Sequence, residues 1–142
     1  MGSGPAVLVT GAAGYVGRLC VAALAKRSEE LSALVALDWV DTEPTGRLEG
    51  VVYEQGDICD PGLKDLFARH GIDTVVHLAS IVRAPKGAPD DLAYRVDVLG
   101  TKNVLEACEA VDAKRLIVTS SGAAYGYHPD NPEWLDEEDP LR

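Results

Sequence analysis

The sequence predicts an α/β fold, a doubly wound parallel sheet in the strand order 3-2-1-4-5. Three observations carry that reading. Short apolar runs alternate with helix-period segments along the chain, the pattern of β-α-β units. The runs are almost continuously apolar, as in strands covered by helices on both faces. The first of them breaks into a glycine-spaced turn and re-emerges as helix. Right-handed crossovers then fix the order, and ligands of such sheets bind outside the carboxyl ends of the strands, where the order reverses between strands 1 and 4. With 142 residues, 46% hydrophobic and 25% charged, the chain is expected to be one globular domain with a sizeable core.

Strand 1 is expected at Val7 to Thr10. After the turn from Gly11 to Gly17, Val16, Leu19, Cys20, Ala23 and Leu24 recur at helical spacing up to Lys26-Arg27, basic residues that suit a helix C-terminus. Leu34 to Leu37 form strand 2, which stops at Asp38, and a polar segment leads to strand 3 at Val51 to Tyr53. Asp60-Pro61 has the form of an N-cap and a first-turn proline. Leu63, Leu66 and Phe67 line the inner face of the helix it opens, and Gly71 ends it. Strand 4 is Thr74 to Leu78. Beyond a loop rich in proline and glycine, a long helix is expected from about Asp90 to Val111, with Leu92, Val96, Leu99, Leu105 and Cys108 on its buried side. Gly100 inside it costs about 1 kcal/mol relative to alanine, so a close packing contact is its expected reason. Strand 5 is Arg115 to Thr119.

Composition narrows the partners. A formal net charge of −10 opposes nucleic acid and anionic membrane. No run approaches the ~20 apolar residues of a membrane span and no signal-peptide pattern precedes strand 1, so a cytoplasmic protein is expected. The three cysteines, Cys20, Cys59 and Cys108, form no C-x-x-C pair, so no metal or redox site is expected, and Cys20 and Cys108 read as small core residues.

The strand ends carry the expected chemistry. Gly11 allows a tight exit from strand 1, Gly14 leaves room for a diphosphate, and Gly17 lets the helix pack against the sheet. The backbone of Ala13, Gly14, Tyr15 and Val16, with the positive end of the helix dipole, is aimed at the same anion. Asp38 at the end of strand 2 is placed to accept from both hydroxyls of an adenosine ribose. That favours NAD and repels the extra phosphate of NADP; Asp41 adds negative charge and no Arg or Lys follows immediately. The alternative is a solvated turn aspartate. His77, ending an apolar strand, is expected to be a satisfied packing residue and not a catalyst.

The spacing G-x-x-G-x-x-G after Thr10 resembles the extended branch of the short-chain dehydrogenase/reductase superfamily: nucleotide-sugar epimerases, dehydratases and related dehydrogenases. Further blocks follow in that family's order: Asp57-Ile58 after strand 3, His77-Leu78-Ala79-Ser80 ending strand 4, Arg95 to Asn103 in the long helix, and Ser120-Ser121 to Tyr125-Gly126 after strand 5. The resemblance implies a Rossmann-like NAD-binding domain over residues 1–142. In it Asp57, with Ile58, meets the adenine amino group, Leu78, Ala79 and Ser80 flank the ribose and diphosphate, and Asn103 keeps its family place toward the cofactor. Ser121 would hydrogen-bond the reacting oxygen of a small-molecule substrate, unless Ser120 and Ser121 are only polar caps on the strand. Asp97 stands where the family has Asn, and so loses the donating half of an amide.

The family's Tyr-x-x-x-Lys pair is absent: four positions beyond the tyrosines stand Leu19, Asp57, Val98, Pro129 and Asn131. The chain is therefore expected to be the N-terminal portion of an epimerase/dehydratase-like oxidoreductase, its sheet cut before the sixth strand, or else a non-catalytic nucleotide-binding module of the same fold. Strand 5 would be an unpaired apolar edge that favours self-association. Arg83 and Lys86, after strand 4, are candidates to meet an anionic group of the substrate if they are not merely solvated.

Overall fold

Strand β1 (Ala6–Thr10) lies at the centre of a five-stranded sheet in the computed structural model, which describes residues 3–142. β2 (Ala33–Asp38) and β3 (Val52–Gln55) flank it on one side, β4 (Thr74–His77) and β5 (Arg115–Val118) on the other. The order is the predicted β3-β2-β1-β4-β5, and every pairing is parallel. Successive side chains point to opposite faces. Val7, Val9, Leu34 and Ala36 pack into one apolar layer, and Leu8, Val35, Leu37 and Val75 into the other. Cover on both faces of β1, β2 and β4 is why these strands read as nearly unbroken apolar runs, whereas the outer strands β3 and β5 are exposed or half-buried.

Helix α1 (Tyr15–Ala25) closes the first layer, with a buried face rotated from the predicted one. Gly17 and Val21 are buried and Cys20 and Leu24 half-buried, whereas Val16, Leu19 and Ala23 are exposed. The period was legible, but the phase is set by the close seat of Gly17 against the preceding turn.

Helix α2 (Leu63–Arg69) begins later than predicted. Asp60 accepts the Gly62 N–H at 2.7 Å and forms a turn ahead of the helix, so Pro61 lies in that turn. Leu63 and Phe67 are buried and Leu66 packs beside them as expected. Gly71, with φ +60°, ends the helix by turning the chain so that Ile72 N–H reaches the Phe67 carbonyl at 3.0 Å.

The long helical segment is not uniform. It runs as α3 (Leu92–Tyr94), a π-helical stretch Arg95–Gly100, and α4 (Thr101–Ala110). The wider π turn shifts the phase, so Gly100, Val104, Ala107 and Cys108 are buried while Leu99 and Leu105, predicted to be inside, are exposed. Gly100 has the predicted packing reason: a Cβ there would lie 2.6 Å from Ile58 Cδ1 and 3.3 Å from Cys59 Sγ. β5 pairs with β4 alone among the described residues, and Ile117 and Val118 are exposed on it. No helix among the described residues is long and apolar enough to cross a membrane.

Candidate functional site

The turn between β1 and α1 is shaped by the exit of β4. Gly11 has φ +68°, and a Cβ on it would lie 2.7 Å from the Ala79 nitrogen and 2.8 Å from the Leu78 carbonyl carbon. Glycine is therefore needed both for the left-handed backbone and for the close approach. Gly17, predicted to meet the sheet, meets the turn instead, because a side chain there would run into the Gly11 carbonyl and Ala12. The hydrogen bonds of the turn can be followed residue by residue. Ala12 N–H donates to the Leu37 carbonyl, Ala13 N–H to the Asp38 carboxylate and Gly14 N–H to the Gly11 carbonyl. Tyr15 and Val16, next at the head of α1, have N–H groups with no protein partner among the described residues. Such orphan donors at the positive end of a helix dipole suit an anion.

A cleft of about 340 Å³ opens at the carboxyl ends of β1, β2 and β4. It brings together Gly11, Ala13, Gly14, Asp38, Asp57, Ile58, Leu78, Ala79 and Ser80, drawn from four separate stretches of the sequence. Asp38 bridges two of its walls: Oδ2 accepts the Ala13 N–H at 2.9 Å and Oδ1 the Val40 N–H at 3.0 Å, and each oxygen keeps an accepting lone pair. Asp57 accepts the Cys59 N–H at 2.8 Å through one oxygen, leaving the other open. Ala79 is small and half-buried beside Gly11.

Other predicted residues stand outside the lining. Tyr15 and Val16 are exposed at the head of α1. Asn103 stands behind the wall, where its amide donates to the Ile58 and Asp60 carbonyls at 2.7 Å each and pins the turn that carries Asp57. Ser121 is exposed beyond β5, at the same sheet edge. Its hydroxyl accepts the Ala123 N–H at 3.2 Å and caps the 3-10 turn Gly122–Tyr125 rather than the strand. Arg83 and Lys86 are exposed. Asp41 is paired with Arg47, six positions on, at 2.8 Å, so its charge is partly compensated.

His77 is the packing residue predicted. It is 2% exposed, with Nδ1 2.7 Å from Thr10 Oγ1 and Nε2 2.9 Å from Thr101 Oγ1. Burial pushes its pKa below the usual histidine value, opposed by the charge of Asp97. Asp97 accepts the Ile81 N–H at 2.9 Å, so the accepting half of the replaced amide has a use here.

Several lining residues were not among those expected at the site. Trp39 and Val40 form the rim simply by following Asp38, and that adjacency was the available clue. Arg95 and Val96 reach the cleft from the π turn, which no periodicity announces. Cys59 also lines it, but its thiol bonds the Arg95 carbonyl at 3.3 Å and is raised in pKa by burial and by Asp57, so it is no ready nucleophile.

Comparison with known proteins agrees with this geometry. Residues 7–142 match the model of the NAD dependent epimerase/dehydratase family. A UDP-glucose 4-epimerase of Halalkalibacterium halodurans is 36% identical over 138 residues, covering 95% of this chain and 40% of the relative. The crystal structure of Thermus thermophilus UDP-glucose 4-epimerase in complex with NAD superposes with a TM-score of 0.77 at 31% identity, covering 96% of this chain and 44% of that one. The L-threonine dehydrogenase of Clostridium difficile follows with a TM-score of 0.70 at 25% identity, over 86% of this chain and 38% of that one. The chain thus spans about two-fifths of the length of such relatives. By the match over residues 7–142, the chain belongs to the NAD dependent epimerase/dehydratase family.

Proposed function

We propose that the cleft between β1 and β4 binds NAD, in preference to NADP. On this reading the chain forms the cofactor half of a cytoplasmic oxidoreductase acting on a sugar nucleotide or a related hydroxy or keto substrate. Asp38 carries the proposal. It ties the end of β2 to the glycine turn and keeps accepting capacity toward the cleft, where a ribose offers two hydroxyl donors and a 2′-phosphate would meet like charge. The diphosphate takes the N–H groups of Tyr15 and Val16, and Asp57 takes the adenine amino group through its open oxygen. Bound NAD supplies a hydride acceptor and donor for a substrate carbon. Ser121 offers its hydroxyl hydrogen to the substrate oxygen while its oxygen goes on accepting the Ala123 N–H. The family match and the sugar-nucleotide epimerases among the relatives support the substrate class.

Calorimetric titration tests the reading. NAD binds the wild-type chain more tightly than NADP, and Asp38→Ala loses affinity for NAD far more than for NADP. Equal loss of both, or no binding of NAD by the wild type, overturns it.

A further inference from the structure

The hydroxyl of Thr10 is a buried hub at the switch point. Its Oγ1 accepts the N–H groups of Leu78 and Ala79 at 3.2 Å each, and Leu78 N–H is shared with the Thr10 carbonyl at 3.3 Å. With both lone pairs engaged, the Thr10 hydrogen has one place to go, His77 Nδ1 at 2.7 Å. That donation requires Nδ1 to be an acceptor, so the ring carries its proton on Nε2 and donates it to Thr101 Oγ1 at 2.9 Å. The chain of donors is complete only while His77 is neutral. A proton on Nδ1 would face a hydroxyl oxygen that already accepts two N–H groups, and would orphan the hydrogen of the fully buried Thr10.

The same hub holds the backbone that forms the cleft. Leu78 and Ala79 line it, and Gly11 approaches them so closely that a methyl group would not fit. We propose that His77 is a positioning residue for the dinucleotide: in its neutral form it fixes Thr10, which fixes Leu78–Ala79 against Gly11, and acidification releases that wall and the ligand with it. This rests on the NAD-binding reading above. The groups around the ring are few. Thr10 comes from β1, Thr101 from α4, and Thr119 Oγ1 bonds the His77 carbonyl from beyond β5. Asp97 of the π turn is the one charged group that acts on it. Its carboxylate favours the imidazolium and so brings release nearer to neutral pH than burial alone would.

Linkage supplies a test that needs no catalysis. Ring signals of His77 are followed by NMR from pH 8 to pH 5 in the wild-type chain, with and without saturating NAD, and NAD affinity is measured by calorimetry over the same range. The free ring shows the Nε2–H tautomer, its titration midpoint falls by about one pH unit when NAD is bound, and affinity falls progressively on the acid side of the free midpoint, toward a limit of about tenfold. His77→Asn keeps an acceptor facing Thr10 without titrating, so its affinity changes by no more than about twofold over that range. If NAD leaves the His77 midpoint unmoved, or if His77→Asn loses affinity in acid as steeply as the wild type, the positioning role is overturned while the NAD reading stands. If the wild type binds no NAD at pH 8, the NAD reading itself fails. Should His77→Asn not fold, the wild-type midpoint alone decides.

Discussion

Asp38 and Ala13 are joined by a hydrogen bond of 2.9 Å from the Ala13 N–H to Oδ2, which locks the end of one strand to the glycine turn leaving its neighbour. A side chain offered for ligand binding is thus also part of the frame. Asp38→Asn keeps the shape but puts an NH2 group where one of two backbone donors must be accepted. Thermal unfolding should show a loss of about 1–3 kcal/mol, the cost of an unsatisfied polar group, together with weaker NAD binding in calorimetry. Unchanged stability would separate the frame from the site.

Two glycines predict different outcomes. In Gly17→Ala the new methyl meets the backbone of Gly11 and Ala12, which cannot step aside without moving the turn. In Gly100→Ala it meets the side chains of Ile58 and Cys59, and the better helix propensity of alanine offsets part of the strain. Denaturant titration should place Gly17→Ala as the more damaging, with loss of NAD binding. Gly100→Ala should cost about 1 kcal/mol.

Asn103 is predicted to matter through its two carbonyl partners. Asn103→Ala leaves the Ile58 and Asp60 carbonyls without their donor and should destabilise by about 1–3 kcal/mol. Asn103→Asp should be worse, since a carboxylate would face two carbonyl oxygens. Melting temperatures of the two variants give the comparison.

The stability of the chain should fall in two steps on acidification. Burial lowers the folded-state pKa of His77, so the unfolded chain binds more protons; the contribution is whole above about pH 6.5 and is lost as pH falls below it. Glu54 is lowered chiefly by its hydrogen bond to His70, with Arg69 assisting, so its contribution is present above about pH 4.5 and fades below it. Melting curves against pH should show both declines, and His77→Asn should remove the upper one.

The exposed Ile117 and Val118 on β5 predict concentration-dependent association of this chain. Sedimentation should show larger species at high concentration, reduced by Ile117→Lys. A strictly monomeric wild type would refute it.

What the sequence made legible follows from what each feature depends on. The sheet order and strand placement rest on apolar runs and crossover handedness, which are local and strongly patterned, so β1 to β5 were readable. Gly11 and Asp38 were readable because each sits at a strand end, which the topology brings to one cleft, whereas Asp57 and Ala79 were readable through the blocks that resemble the family's. The faces of α1 and of the long helix were not. Their phase depends on how closely Gly17 and Gly100 seat against neighbours and on a π turn that adds a fraction of a residue per turn. Asn103 matched a motif, but a motif match cannot distinguish a residue that touches the ligand from one that holds the wall. Arg47 was missed as the partner of Asp41 because the loop between β2 and β3 folds back on itself.

The bond between Thr10 and His77 joins positions 67 apart in the chain. During synthesis β1, β2 and β3 can assemble early, but the central strand keeps a bare edge until β4 arrives. Closing so long a loop is entropically costly and slow compared with local helix formation. The cleft at the carboxyl ends of β1, β2 and β4 therefore forms only once β4 has joined β1, and a molecule that fills it reports on that long-range pairing.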